Sequence, residues 1–245
     1  MKYLVFITLG MVLNQATLAV AAPAKQCDVN PEIIKASYHQ TQAQGEVRRF
    51  NLWRFNSAIA HQSVDTGVVE KWQQLKTGQL RPTRYFETYQ RGIEYQPGEL
   101  RSHNQPDWSQ KYQLVSDSLL TSSVKQYGHG CNREVRFEHR QGQQSIAIEW
   151  LPELDLLKSM TVKEQAPNGL TKVISSLQLR DYQSARHIVE QQFALWDRYQ
   201  ITDYADVGDN ESDPFLSKMI NQGFVEHGAS GFYDSQGHAI GGHHH

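Results

Sequence analysis

The sequence predicts an α+β protein, an antiparallel β-sheet that includes a hairpin near 134–150, with flanking helices and a helical C-terminal part. Three observations predict it. Val135, Phe137 and His139 alternate with polar residues, Gln141-Gly142-Gln143-Gln144 follows, and Ile146, Ile148 and Trp150 alternate again. A period of two on both arms with a short Gly-containing connection is the pattern of a hairpin. Residues 84–96 are rich in aromatics (Tyr85, Phe86, Tyr89, Tyr95) and end on Gln96-Pro97-Gly98, a turn signal, so they read as a strand. Finally, Ile188, Val189, Phe193, Leu195, Trp196 and Tyr199 recur at helical spacing through 184–201. A second helix over 214–222 follows Asp213, whose carboxylate can accept from first-turn amides, and Gly223 is placed to end it. Strands in the middle and helices late put the helices on one face of the sheet.

In chain order, residues 31–42 carry Ile33, Ile34 and Tyr38 behind Asn30 and Pro31 and read as a short helix. Residues 48–61 read as extended, with Phe50 and Leu52 followed, after a shift of phase, by Phe55, Ala58 and Ile59. Val68, Val69, Trp72 and Leu75 form a helical stripe, with a strand as the alternative. Trp108, Tyr112, Val115, Leu119 and Leu120 fit one helix face over 108–124. Segments 151–157 and 173–179 read as strands on either side of an Asn168-Gly169 turn. The organisation expected is a signal peptide at 1–22, a single α+β domain at 23–223, and a Gly/His-rich flexible tail at 224–245.

The signal peptide is read from Lys2, the apolar run from Leu4 to Leu13, and the small residues Ala19 to Ala22. It places the chain in the periplasm or outside the cell. No later stretch approaches the roughly 20 apolar residues of a membrane helix. With 24 basic against 26 acidic residues and no basic block, nothing points to a nucleic-acid partner. After the leader is removed about 220 residues remain, ample for a core.

Export to an oxidising compartment makes Cys27 and Cys131 a predicted disulfide. The alternative is two free thiols acting as soft metal ligands or redox groups, with His129 beside Cys131 and His139 following on the hairpin.

Of the 11 histidines, His227, His238, His243, His244 and His245 lie in the last nineteen residues. Imidazoles close together on a Gly-rich segment can gather round zinc, copper or nickel without a preformed cage. The terminal run is read as native, against the alternative of a purification tag. A second metal reading falls on residues 203–213, where Asp203, Asp206 and Asp209 offer hard oxygen ligands that suit calcium, although their spacing is not that of an EF-hand. The competing reading is a solvated loop that caps the next helix. His61 and His103 read as ordinary surface or partly buried residues. Trp53, Phe55, Tyr85, Phe86, Tyr89 and Tyr95 form an aromatic set read chiefly as core.

No coherent catalytic set appears; Gly228-Ala229-Ser230-Gly231 reads as a turn rather than a nucleophile elbow. The function expected is therefore an exported periplasmic binding or assembly protein that is not an enzyme, with a transition metal on the tail and an envelope protein or small ligand as partner. The alternatives are an envelope-polymer hydrolase using the 203–213 carboxylates, and a carrier of an apolar ligand beneath the aromatic set.

Overall fold

The computed structural model describes residues 27–97, 99, 107–210 and 212–222, and the backbone of the short pair 232–233 and 239–240. Among these residues the fold is mostly β, one twelve-stranded sheet with three short helices, which corrects the α+β expectation and its helical C-terminal part. Strands β1 (Ile33–Gln42), β2 (Val47–Phe55), β3 (Ala58–Ser63), β4 (Val68–Gln74), β5 (Leu80–Phe86) and β6 (Arg91–Glu94) run as an antiparallel meander. A second meander comprises β7 (Lys125–Tyr127), β8 (Glu134–Gln141), β9 (Gln144–Leu151), β10 (Leu156–Gln165) and β11 (Thr171–Gln183). The two join where β1 pairs antiparallel with β11. Strand β12 (Gln200–Asp203) adds in parallel to β6 at one edge, and β7 forms the other. Both edge strands are short, which limits the unpaired backbone on offer to another chain.

Helix α1 (Trp108–Gln113) and the single turn Asp117–Leu120 stand where one helix over 108–124 was expected. Leu114 ends α1 in the left-handed region, φ 67°. Helix α2 (Arg186–Trp196) and helix α3 (Pro214–Asn221) follow the sequence reading, and Asp213 caps α3 by accepting from the amides of Phe215 and Leu216. Between them β12 returns to the sheet, so the C-terminal third is not a helical unit.

Two segments read as helical stripes are strands, because in each the period of two is masked. In β1 the inward residues are Ile34, Ala36, Tyr38 and Gln40. Ile34 and Tyr38 are four apart, a spacing that both a period of two and a helical turn satisfy, while Ala36 and Gln40 add no large apolar mark. The Asn30 carboxamide that looked like a cap accepts from the Glu32 amide and makes the turn into β1. In β4, Val69 faces one side of the sheet and Trp72 the other, and both are buried. A strand covered on both faces loses its alternation. The phase shift within 48–61 is a hairpin turn at Asn56-Ser57, with Asn56 at φ 54°. The hairpin at 134–150 is present as β8 and β9, in register from Val135 opposite Trp150 to Gln141 opposite Gln144.

One face of the sheet carries the main core: Ile34, Tyr38, Phe50, Leu52 and Ile59 from the first meander meet Phe137, Ile148, Trp150, Met160 and Leu177 from the second. On the other face, among the described residues, α2 lays Val189, Phe193 and Trp196 on Ile33, Trp53, Ala60, Val69 and Tyr85. A chain of side-chain hydrogen bonds fixes that helix. Ser37 donates to Asn51, Asn51 and Trp53 donate to the Gln62 carbonyl oxygen, and Gln62 and Trp196 donate to the Glu87 carboxylate. Helix α3 and Val207 bury Phe86, Ile93 and Tyr95 on the main-core face, forming a third apolar cluster beyond the first.

Candidate functional site

The register sets out a panel on the main-core face, between the first and third apolar clusters. Across β3, β4 and β5, His61 stands opposite Glu70 and Glu70 opposite Arg84. One step along, Trp72 stands opposite Pro82, and Tyr95 follows as its amide donates to the Pro82 carbonyl. Helix α1 covers these rows: the Lys111 ammonium lies 4.2 Å from the centre of the Trp72 ring, and its carbonyl accepts from His61 Nε2 at 2.8 Å. Because a carbonyl can only accept, the neutral ring carries its proton on Nε2. Trp72 also meets the His61 ring edge-on, centroids 4.7 Å apart. Arg84 donates to Glu70 at 2.7 Å. His61, Arg84 and Lys111 are each 7% exposed or less.

These groups sit where charge is costly. Burial lowers the Lys111 ammonium below the ordinary lysine value, with Glu70 working the other way. Burial raises the Tyr95 phenol, so it stays protonated and is a donor. Burial, together with the neighbouring Lys111 charge, lowers His61 to about 3. Between pH 6.5 and 3, in consequence, the unfolded chain takes up a proton at residue 61 that the native chain does not. Stability therefore falls as pH falls through that window, by up to about 1.4 kcal/mol per pH unit from this residue. Urea unfolding at a series of pH values should show a shallower slope for His61→Gln than for the parent; an unchanged slope would place a proton on the native ring.

The residues singled out from sequence fall differently. Cys27 and Cys131 are joined in a disulfide, 104 residues apart, packed against the main core. Asp203 accepts from the Ala205 amide and from the Gln96 carboxamide, so its oxygens cap a turn. Asp206 is exposed within the turn Tyr204–Asp206, and Asp209 belongs to the backbone turn Gly208–Asn210. Asp213 accepts from Arg91 at 3.0 Å, and that bond with the two helix amides lowers its pKa, opposite to what a general acid needs. Among the described residues no three His, Cys, Asp or Glu side chains converge as a metal site. His227, His238, His243, His244 and His245, and the residues 1–22 of the expected leader, lie outside the described residues. The six aromatics do not form one set. Trp53, Phe55 and Tyr85 pack under α2, while Phe86 and Tyr95 lie on the opposite face against α3, with the Tyr89 ring beside Phe215.

Sequence reasoning passed over the panel. The one signal was phase: His61 follows Ile59, and Glu70 precedes Trp72, at inward positions of alternating strands, where an ionisable residue is out of place.

No family model matches the sequence, and no curated protein does. Among solved structures the chain is similar to PNGF-II in its C2 form, at TM-score 0.39 and 10% identity over 79% of this chain and 33% of that one. For the P21 form of PNGF-II the TM-score is 0.38 and the identity 8%, over 70% and 31%. The chain thus spans about a third of those structures. Among the described residues no helix is long and apolar enough to cross a membrane.

Proposed function

We propose that this is an exported, non-enzymatic binding protein that holds a small ligand on the His61–Glu70–Arg84 panel. The observation that carries the reading is the gathering of four ionisable side chains, His61, Glu70, Arg84 and Lys111, with Trp72 and Tyr95, between two apolar clusters. Buried charge is expensive and, for stability alone, a well-packed apolar set serves as well or better. Convergent polar groups with perturbed pKa values beside apolar side chains mark candidate functional sites. Export is supported by the residues of the leader and by the Cys27–Cys131 disulfide, which persists in an oxidising compartment. The histidine tail carries no part of this reading.

Native mass spectrometry of the full-length gene product, recovered from a periplasmic extract, tests it. The expected spectrum shows the mass without the leader, the disulfide intact, and a non-covalent adduct that Glu70→Leu/Arg84→Met loses while remaining folded. A bare mass for the parent protein overturns binding. A retained leader with two free thiols overturns export.

A further inference from the structure

We infer that the ligand of this panel is a small monocarboxylate with an apolar or aromatic body, its charged end held between the Lys111 ammonium and the Tyr95 hydroxyl. The inference rests on the binding reading above and adds the chemistry of the ligand. Two independent groups point to it. Lys111 is 7% exposed, and among the described residues its ammonium has the Trp72 ring as partner but neither an ion pair nor a hydrogen bond. Tyr95 is 4% exposed, and its hydroxyl has no hydrogen-bond partner among the described residues. The Lys111 ammonium lies over Trp72, and Trp72, Pro82 and Tyr95 stand in one row across β4, β5 and the end of β6, which places both donors along that row.

The balance of charge and of donors then selects the ligand. Of the two carboxylates near this panel, Glu70 is engaged by Arg84, and Glu99, on the Tyr95 side, accepts from the Gln96 amide. Among the described residues neither carboxylate pairs with the Lys111 ammonium, so a single negative charge matches it. An ammonium offers donors only, and a protonated phenol on an otherwise apolar wall offers one. Their natural complement is an acceptor-only group, and a carboxylate accepts strongly from both. Tyr95 itself stacks on Tyr204 with centroids 4.9 Å apart, which fixes the direction of its hydroxyl. Trp72, Pro82 and the Tyr95 ring form a continuous buried row beside these donors, suited to the body of the ligand.

Titration calorimetry with benzoate and with its neutral counterpart benzamide, on the disulfide-bonded protein, tests the inference. Benzoate is expected to bind, and benzamide to bind about tenfold or more weakly, as is typical when a hydrogen bond to a charged group is lost. Tyr95→Phe, which deletes one oxygen and leaves the packing, is expected to weaken benzoate by about the same factor. Lys111→Met is expected to abolish the preference for benzoate over benzamide. If benzamide binds as well as benzoate, and Glu70→Leu/Arg84→Met weakens both, the carboxylate assignment fails and the binding panel stands. If neither probe binds, the two donors serve water and this inference fails; a bare native mass for the parent protein then removes the binding reading as well.

Discussion

Replacing Arg54 by methionine is expected to cost about 4 kcal/mol or more, the largest loss from any single side chain described here. Arg54 is fully buried in β2 and faces the main core. Its Nε donates to the Tyr112 carbonyl at 2.7 Å, Nη1 to the carbonyls of Pro31 and Leu154 at 3.1 Å, and Nη2 to that of Asp155. The Tyr112 ring lies over the guanidinium at 3.8 Å. One planar fork thus ties the segment before β1, helix α1 and the β9–β10 turn to the second strand. Methionine fills the volume but leaves the carbonyls of Tyr112, Leu154 and Asp155 without this donor, while that of Pro31 keeps the Tyr112 hydroxyl. Lysine keeps the charge but gathers its donors on one atom and cannot span three segments, so Arg54→Lys should recover only a minor part. Denaturant unfolding followed by circular dichroism measures both. A loss under about 1 kcal/mol for Arg54→Met would mean that the carbonyls find water instead.

The second large effect is expected at the disulfide. Cys27 and Cys131 close a separation of 104 residues, for which the chain-entropy model gives about 4 to 5 kcal/mol. At roughly 2 to 4 °C per kcal/mol for a chain of this size, Cys27→Ser/Cys131→Ser should melt about 10 °C or more below the parent protein. Calorimetric melting of both, with and without reductant, checks it: reductant should lower the parent to the double variant and leave the variant unmoved. Because the bond joins the segment before β1 to the turn before β8, its loss frees the two meanders from one of their covalent ties, but not from the β1–β11 ladder. A melting point unchanged by reductant would show that ladder and core already restrict the chain.

Part of this molecule is legible in its residue pattern. The hairpin of β8 and β9 is, because one of its faces is solvated: Glu138 and Arg140 are exposed while Val135 and Phe137 are buried, so the alternation is clean. The start of α3 is, because capping is local, an Asp followed by Pro with exposed amides two and three residues on. The Cys27–Cys131 pairing is, because two cysteines offer one intramolecular pairing to make. Strands β1 and β4 are not. Tertiary cover on both faces of β4 removes its period, and in β1 the inward Ala36 and Gln40 leave only spacings that a helix also uses.

Short-range features thus follow from the order of residues alone: turns, caps, the solvated hairpin, the cysteine pair and the near-neutral charge. Long-range pairing is what makes the chain mostly one sheet and what brings His61, Glu70, Trp72, Arg84, Tyr95 and Lys111 together. Those side chains come from β3, β4 and β5, from the residue that follows β6, and from helix α1. Strand register, a non-local property, sets which of them face one another, so no spacing along the sequence records their meeting.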